Sequence, residues 1–173
     1  MSVTATQAGL DGRQLRELMG HFPTGVAIVT VAHDGSWYGM TVNSLTSVSL
    51  EPPLILVCLL RGTRTACAVR ARGAFAVNIL ASSQDALARR FARPGSEDRY
   101  AGLQTRVGPG GLPLLPALAH LCCEVREVRD GGDHEIFIAE VHSGDACERS
   151  PLVFHRGCFH GLAEDGREAG WYW

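Results

Sequence analysis

The stretch TVNSLTSVS, residues 41–49, is dense in hydroxyl and amide side chains. After Pro52 and Pro53 it gives way to the apolar run Leu54 to Leu60. A planar polar heterocycle needs in-plane donors and acceptors of modest strength. Thr, Ser and Asn side chains, with backbone N–H and C=O groups, supply them without the cost of burying a charge. The chemistry on offer is therefore neutral hydrogen bonding to a ligand. An edge strand with solvated hydroxyls would use the same residues.

Absences narrow the function. The sixteen basic residues are all arginine, so the chain has no lysine. A phosphate-binding Walker loop and a lysine Schiff base are both excluded. G-x-S-x-G and H-E-x-x-H do not occur, and the nearest approach to G-x-G-x-x-G is Gly108-Pro-Gly-Gly-Leu-Pro113, with Pro in place of the third Gly. That segment reads as a surface turn. The six cysteines form no C-x-x-C pair. In mostly apolar surroundings they read as small hydrophobes, neither a disulfide framework nor a metal site. A net charge of -2 provides no basic face for nucleic acid or anionic membrane. The longest apolar run is too short to span a bilayer, and the N-terminus lacks the features of a signal peptide. The expectation is a cytoplasmic protein.

The elements that must position these residues are mostly strands. Asp11 caps a short helix with Leu15, Leu18, Met19 and Phe22 on one face, ended by Pro23. Residues 24–32 read as a strand buried on both sides. Asp34-Gly35 turns it into a partner strand, Trp37 to Leu45. Leu54 to Leu60 is a further buried strand. Thr63 to Arg72 is helical, with Gly73 just past its end. Ala74 to Leu80 is a strand, and Ser82 or Ser83 caps a helix bearing Leu87 and Phe91. Residues 93–116, rich in Gly and Pro, read as irregular and exposed. Leu121, Cys123 and Val125 alternate with polar neighbours in a half-buried strand, with a bulge at Glu127-Val128. The turn 130–133 leads into a strand from His134 to His142. Leu152–His155 and Cys158–Leu162 form a last pair around Gly157. Six or seven strands joined by tight turns predict a mainly β fold, a closed antiparallel barrel with a few short covering helices. No linker or repeat divides the chain, so residues 1–173 read as a single domain.

In this order the chain carries FPTGVAIVT (22–30), GMTVNSLTSVSLEPPLILVCL (39–59), FAVNIL (75–80), LARRFA (87–92), DGGDHEIFIAEV (130–141) and PLVFHRGCFHGL (151–162). In these pieces it resembles the short-chain flavin reductases, the flavin reductase-like group of the FMN-binding split barrels. These are reductase components of two-component flavin monooxygenases. The resemblance covers about residues 12–162. It implies a split β-barrel working as a homodimer, with flavin in a groove at the subunit interface.

By the resemblance, Thr41, Val42, Asn43, Ser44 and Leu45 line the isoalloxazine and ribityl chain, and Ser47 and Val48 continue that lining. Thr63, Arg64 and Thr65 match the loop that reaches the flavin phosphate. Physical chemistry agrees, since a phosphate suits Arg, hydroxyls and free N–H groups at a helix start. Ser82, Ser83 and Gln84 could reach the flavin's outer part, and Arg90 and Phe91 could cover the site, Phe91 equally being core. His134 matches a His that positions the nicotinamide. His155, Arg156, Gly157 and Cys158 match a turn that contacts the pyridine nucleotide, where the family often has an aromatic residue at the place of His155. No role falls to His21, His33, His120, His142 or His160.

The reaction so implied is hydride transfer from NADH, or NADPH, to FAD or FMN, with proximity and orientation supplying most of the acceleration. Reduced flavin would pass to a separate oxygenase that hydroxylates or halogenates an organic substrate. NADH is expected because no Arg cluster marks a 2'-phosphate pocket. The alternatives are an oxidase of the same fold with tightly held FMN and a flavin-binding electron carrier without turnover.

Overall fold

The computed structural model describes residues 9–95 and 98–162. Its elements in chain order are α1 (Gly12–Met19), β1 (Thr24–Gly25), β2 (Ala27–His33), β3 (Ser36–Val42), β4 (Thr46–Leu50), β5 (Pro53–Leu60), α2 (Arg64–Arg72), β6 (Ala74–Ile79), α3 (Asp85–Ala92), β7 (Arg106–Val107), β8 (Pro113–Leu114), β9 (Ala119–Gly131), β10 (His134–Ala146), β11 (Leu152–His155) and β12 (Cys158–Gly161). Seven strands form one sheet in the order β3-β2-β6-β9-β10-β5-β4, antiparallel throughout. β1, β11 and β12 form a separate three-stranded sheet. The fold is mainly β around this large antiparallel sheet.

The apolar alternation of the strands makes the core. Val29, Val31, Val42, Val57, Leu59, Phe75, Val77, Phe137 and Ala139 project from five strands into one cluster, capped by Ala66 and Val69 of α2. Residues from strands near both sheet edges therefore share one interior, and β3 approaches β5 across it. No ladder joins β3 to β4, so the sheet is not closed. The opposite face of β2 meets α3, where Ile28 packs with Ala88, Phe91, Leu115 and Leu152. β2 is covered on both faces, as its sequence requires.

Several expectations change. β3 ends at Val42, and residues 46–50 form a separate strand, β4. β5 is not buried on both sides. Ile55, Val57 and Leu59 point inward, whereas Leu54, Leu56 and Cys58 are half-buried and Leu60 is exposed. Residues 93–116 are not uniformly exposed. Leu112, Leu114 and Leu115 are buried, and they cover the second face of β6 and β9 beside Ala76 and Cys122. That cover buries Cys122, while Cys123 points the other way into the main core. The register of β9 against β10 shifts between Glu127 and Val125, which puts the bulge at Arg126. Neither Ser82 nor Ser83 caps α3. A 3₁₀ turn precedes the helix, closed by the Gln84 side chain accepting from Ala81 N–H at 2.8 Å. Asp11 caps α1 as expected and does so in a capping box with Gln14, but the apolar stripe of the helix is bare, with Leu15, Leu18 and Met19 all exposed.

Candidate functional site

The hydroxyls of the 41–49 stretch divide into two sets. Thr41 Oγ1 donates to Ala88 C=O at 2.7 Å, which ties β3 to α3. Ser44 Oγ accepts from Cys58 N–H at 3.0 Å and donates to Cys58 C=O at 3.1 Å. It extends the β4–β5 ladder, whose backbone pairing stops at Thr46–Leu56. Thr41 and Ser44 thus hold the segment in place. Asn43, exposed beyond the end of β3, has no side-chain hydrogen bond among the described residues. The side chains of Thr46, Ser47 and Ser49 are likewise unspent. This set can serve a ligand.

α2 begins beside this segment. Thr63 caps it, accepting from Ala66 N–H at 3.3 Å and donating to Leu60 C=O at 2.9 Å. Gly62, at φ 76°, allows the tight turn into the cap. The N–H groups of Arg64 and Thr65 in the first turn have no backbone acceptor among the described residues. The Arg64 guanidinium, exposed at the same turn, has no hydrogen bond or ion pair among them either. Unspent N–H groups, a helix N-terminus and a free guanidinium are the kinds of group that suit an anion.

A cavity of about 640 Å³ opens at this turn. One wall is β3 from Ser36 to Thr41, another is residues 62–65, and the third is Phe91, Arg99 and Tyr100. No carboxylate lines it among the described residues. The third wall is built tightly. Tyr100 packs edge-on to Trp37 and Phe91, with centroids 5.4 and 5.2 Å apart, and donates to Tyr38 C=O at 2.7 Å. Burial pushes its phenol well above its ordinary range, with nearby Arg99 working the other way. Arg99 donates to Gly39 C=O at 2.6 Å. Gly39 must be glycine here, because a Cβ would lie 2.6 Å from the Phe91 ring. Arg90 donates to the carbonyls of Asp98 and Ala101, which pins the chain on that side.

A second, smaller cavity of about 200 Å³ adjoins the first, sharing Met40, Thr41 and Leu60. Its other walls are Val42, Asn43, Ser44, Cys58 and His134. His134 arrives on the first residue of β10, paired with Leu60 of β5. Its Nδ1 lies 2.7 Å from Asp133 Oδ1. The hydrogen bond from His134, reinforced by its charge, holds the Asp133 carboxyl below its ordinary value. Burial raises the Cys58 thiol above its ordinary value, opposed by a hydrogen bond from Ser44, which argues against a nucleophilic role.

Except for Phe91, the remaining expected residues lie apart from these cavities within one chain. Leu45 is half-buried against the main core, and Ser47 and Val48 are exposed on β4. Gln84 spends its amide on Ala81 and Pro116, and Ser83 accepts from Arg149. Phe91 both lines the large cavity and is fully buried, so both of its readings stand. His155 and Cys158 pair at the end of the β11–β12 hairpin, and Arg156 and Gly157 form its turn with φ 48° and 78°. This turn docks on the end of α1, Arg156 N–H donating to Gly20 C=O at 3.0 Å and its guanidinium meeting His21. It joins neither cavity. Sequence reasoning missed Trp37, Gly39, Arg99 and Tyr100. Gly39 lay inside a quoted motif, but the reason it is glycine is a contact 52 positions away with Phe91, invisible in one dimension.

The sequence profile described as "Flavin reductase like domain" matches residues 19–163. The chain belongs to the flavin reductase-like family. It is 43% identical over 150 residues to the reductase component of a 4-nitrophenol 4-monooxygenase/4-nitrocatechol 2-monooxygenase from Rhodococcus opacus, covering 87% of this chain and 80% of that one. It is 40% identical over 164 residues to an NADH-dependent FAD reductase of Streptomyces globisporus, covering 91% and 90%. The solved structure of the Streptomyces globisporus NADH:FAD oxidoreductase with NAD and FAD fragments superposes with a TM-score of 0.85 at 39% identity, over 91% of this chain and 96% of that one. The flavin reductase component of a bacterial two-component tryptophan halogenase superposes at 0.81 and 38% identity, over 89% and 99%. The sequence resemblance is thereby borne out over nearly its full expected span. In this flavin reductase-like chain, both cavities and the α2 turn fall inside the matched residues.

Proposed function

We propose that this chain is an NADH:flavin oxidoreductase that reduces FAD or FMN for a separate oxygenase component. The observation that carries the reading is the continuity of the two cavities. A cavity with no carboxylate among its described lining residues, and with an anion site at the start of α2, runs into a smaller one between Asn43 and His134. A flavin nucleotide has this division into an anionic end and a neutral heterocycle. The names of the relatives support the same chemistry and the same partner class.

The residues fit flavin on their own chemistry. Thr63, Arg64 and Thr65 would hold phosphate, and residues 41–45 would hold the ring by neutral hydrogen bonds. The large cavity, about 640 Å³, exceeds the needs of one phosphate. It leaves room for an adenosine half against Trp37 and Tyr100, which favours FAD over FMN. A bound flavin accepts hydride at its ring and so links a two-electron donor to a later oxidation. Asn43 would orient the ring. His134 would position the nicotinamide beside it. Gly39, Phe91 and Tyr100 would shape a wall that limits water. No protein nucleophile is needed.

The proposal includes a split barrel, since α2 plugs a sheet whose edges converge without pairing. It includes a homodimer, whose second copy would cover the bare α1 stripe and Val48, Leu50 and Leu60. It also includes a single domain over the whole chain, Ser47, Val48, Ser82, Gln84 and His155–Cys158 as further contacts completed in the dimer, and a cytoplasmic site of action. No helix among the described residues is long and apolar enough to cross a membrane. The test is steady-state NADH oxidation by the purified protein with FAD, with FMN and with no added flavin. Consumption that requires added flavin supports the proposal. Flavin binding without NADH consumption would leave only a carrier.

A further inference from the structure

Arg61 lies between the anion turn and the His134 turn, and lines neither cavity. Its backbone N–H donates to Asp133 C=O at 3.0 Å. Its guanidinium reaches three more groups of the same turn and one carboxylate just beyond it. Nε donates to Gly132 C=O at 3.4 Å. Nη2 donates to His134 C=O at 3.4 Å and lies 3.1 Å from Asp130 Oδ1. Nη1 lies 3.6 Å from Glu135 Oε1. Glu135 is buried and is also paired with Arg70 of α2. Two residues beyond Arg61, Thr63 caps α2.

We infer that Arg61 is a positioning residue for the nicotinamide, acting through the 130–134 turn that carries His134. The turn needs such a clasp. Gly131 and Gly132 remove side-chain restraint, and Gly132 sits at φ 77°. Within the turn, Gly132 N–H donates to Asp130 Oδ1 at 2.9 Å and His134 Nδ1 lies 2.7 Å from Asp133 Oδ1, while the β9–β10 pairing stops at Gly131–His134 and leaves Gly132 and Asp133 beyond the ladder. The planar guanidinium fork engages the Gly132 and His134 carbonyls and the Asp130 carboxylate of that turn, with Glu135 Oε1 just beyond it on β10 at 3.6 Å, a set that a lysine ammonium cannot match in geometry. Arg61 thereby fixes His134 relative to the loop proposed to hold the flavin phosphate. The two halves of the reaction are held at a set distance by one side chain.

This inference rests on the proposed role of His134, and the test separates the two. Arg61→Met, Arg61→Lys, His134→Ala and the Arg61→Met/His134→Ala double variant are compared as full chains. The readouts are the KM for NADH at saturating flavin, the Kd for FAD, and thermal unfolding. Arg61 is exposed, so its variants should fold. Loss of one or two net hydrogen bonds in Arg61→Met should raise the KM for NADH roughly threefold to tenfold. FAD affinity should hold, and Arg61→Lys should recover part of the loss. The double variant should match His134→Ala, because a residue acting through His134 adds nothing once that side chain is gone. Multiplying effects would overturn the inference, as would a lowered melting temperature with unchanged KM. If His134→Ala itself leaves the KM unchanged, the role of His134 falls and this inference with it. If only Arg61→Met is silent, the inference alone falls.

Discussion

Ser44 and Asn43 are neighbours in the same hydroxyl- and amide-rich stretch, yet their replacement should have opposite consequences. Ser44→Ala removes both bonds to the Cys58 backbone, at 3.0 and 3.1 Å. Each hydrogen bond contributes about 0.5–1.5 kcal/mol net. The site is half-buried, so water can partly replace the lost partner. The expected loss is therefore in the lower part of the summed range, about 1–2 kcal/mol. For a domain of this size that lowers the melting temperature by roughly 2–8 °C. Asn43→Ala removes no bond within the chain among the described residues, so stability should stay within about 0.5 kcal/mol. If the Asn43 amide holds the flavin, its loss should weaken flavin binding by about 0.5–1.5 kcal/mol, roughly threefold to tenfold in Kd. Thermal unfolding and fluorescence titration with FAD and FMN read both quantities. The reasoning is refuted if Ser44→Ala melts like the parent, or if Asn43→Ala leaves flavin affinity untouched.

Three further outcomes follow from packing and charge. Gly39→Ala drives a Cβ to 2.6 Å from buried Phe91 and 2.9 Å from Tyr100 Oη; it should cost about 1–3 kcal/mol in stability and weaken FAD binding, read by the same two assays. Trp37→Ala should weaken FAD by about 1 kcal/mol and leave FMN binding unchanged, since FMN lacks the adenosine half; equal losses for both flavins would place the extra volume in another role. Asp145 is held below its ordinary value of 3.8 first by a hydrogen bond from Arg106 and then by one from His120. A depressed carboxylate stabilises the fold above its ordinary pKa and loses that contribution as pH falls through its folded value. Asp145→Asn should therefore be less stable than the parent at neutral pH, with the difference closing in acid, as pH-dependent chemical denaturation would show.

What the sequence made legible was what local pattern determines. Gly73 as the left-handed end of α2 follows from residue type at the terminus, while Thr63, read as the first helical residue, is the cap one position before it. The burial of β2 on both faces follows from its unbroken apolar run. GTRT at a helix start carries its chemistry just as locally, and the structure leaves the Arg64 guanidinium and the N–H groups of Arg64 and Thr65 without partners among the described residues. Other features depended on distant partners. Leu112 to Leu115 read as an exposed loop because Gly and Pro dominate their surroundings, yet the uncovered second face of β6 and β9 draws them in. Ser44 read as a ligand contact and proves also to be a ladder bond, because the chain 14 positions away ends its pairing at that point. The cavity wall of Trp37, Gly39 and Tyr100 is assembled across about 60 positions, as the Tyr100–Tyr38 bond shows. His155 to Cys158 were grouped with His134 by resemblance, whereas a single chain docks that hairpin against α1.

The central claim is hydride transfer from NADH to a flavin that then leaves. It is tested most directly by anaerobic incubation of the protein with NADH and a large excess of FAD, followed by passage of the mixture through a membrane that retains the protein. The account expects many reduced flavins per chain, nearly all in the filtrate, with FAD reduced at least as well as FMN. Reduction that stops at one flavin per chain and stays with the protein would contradict it.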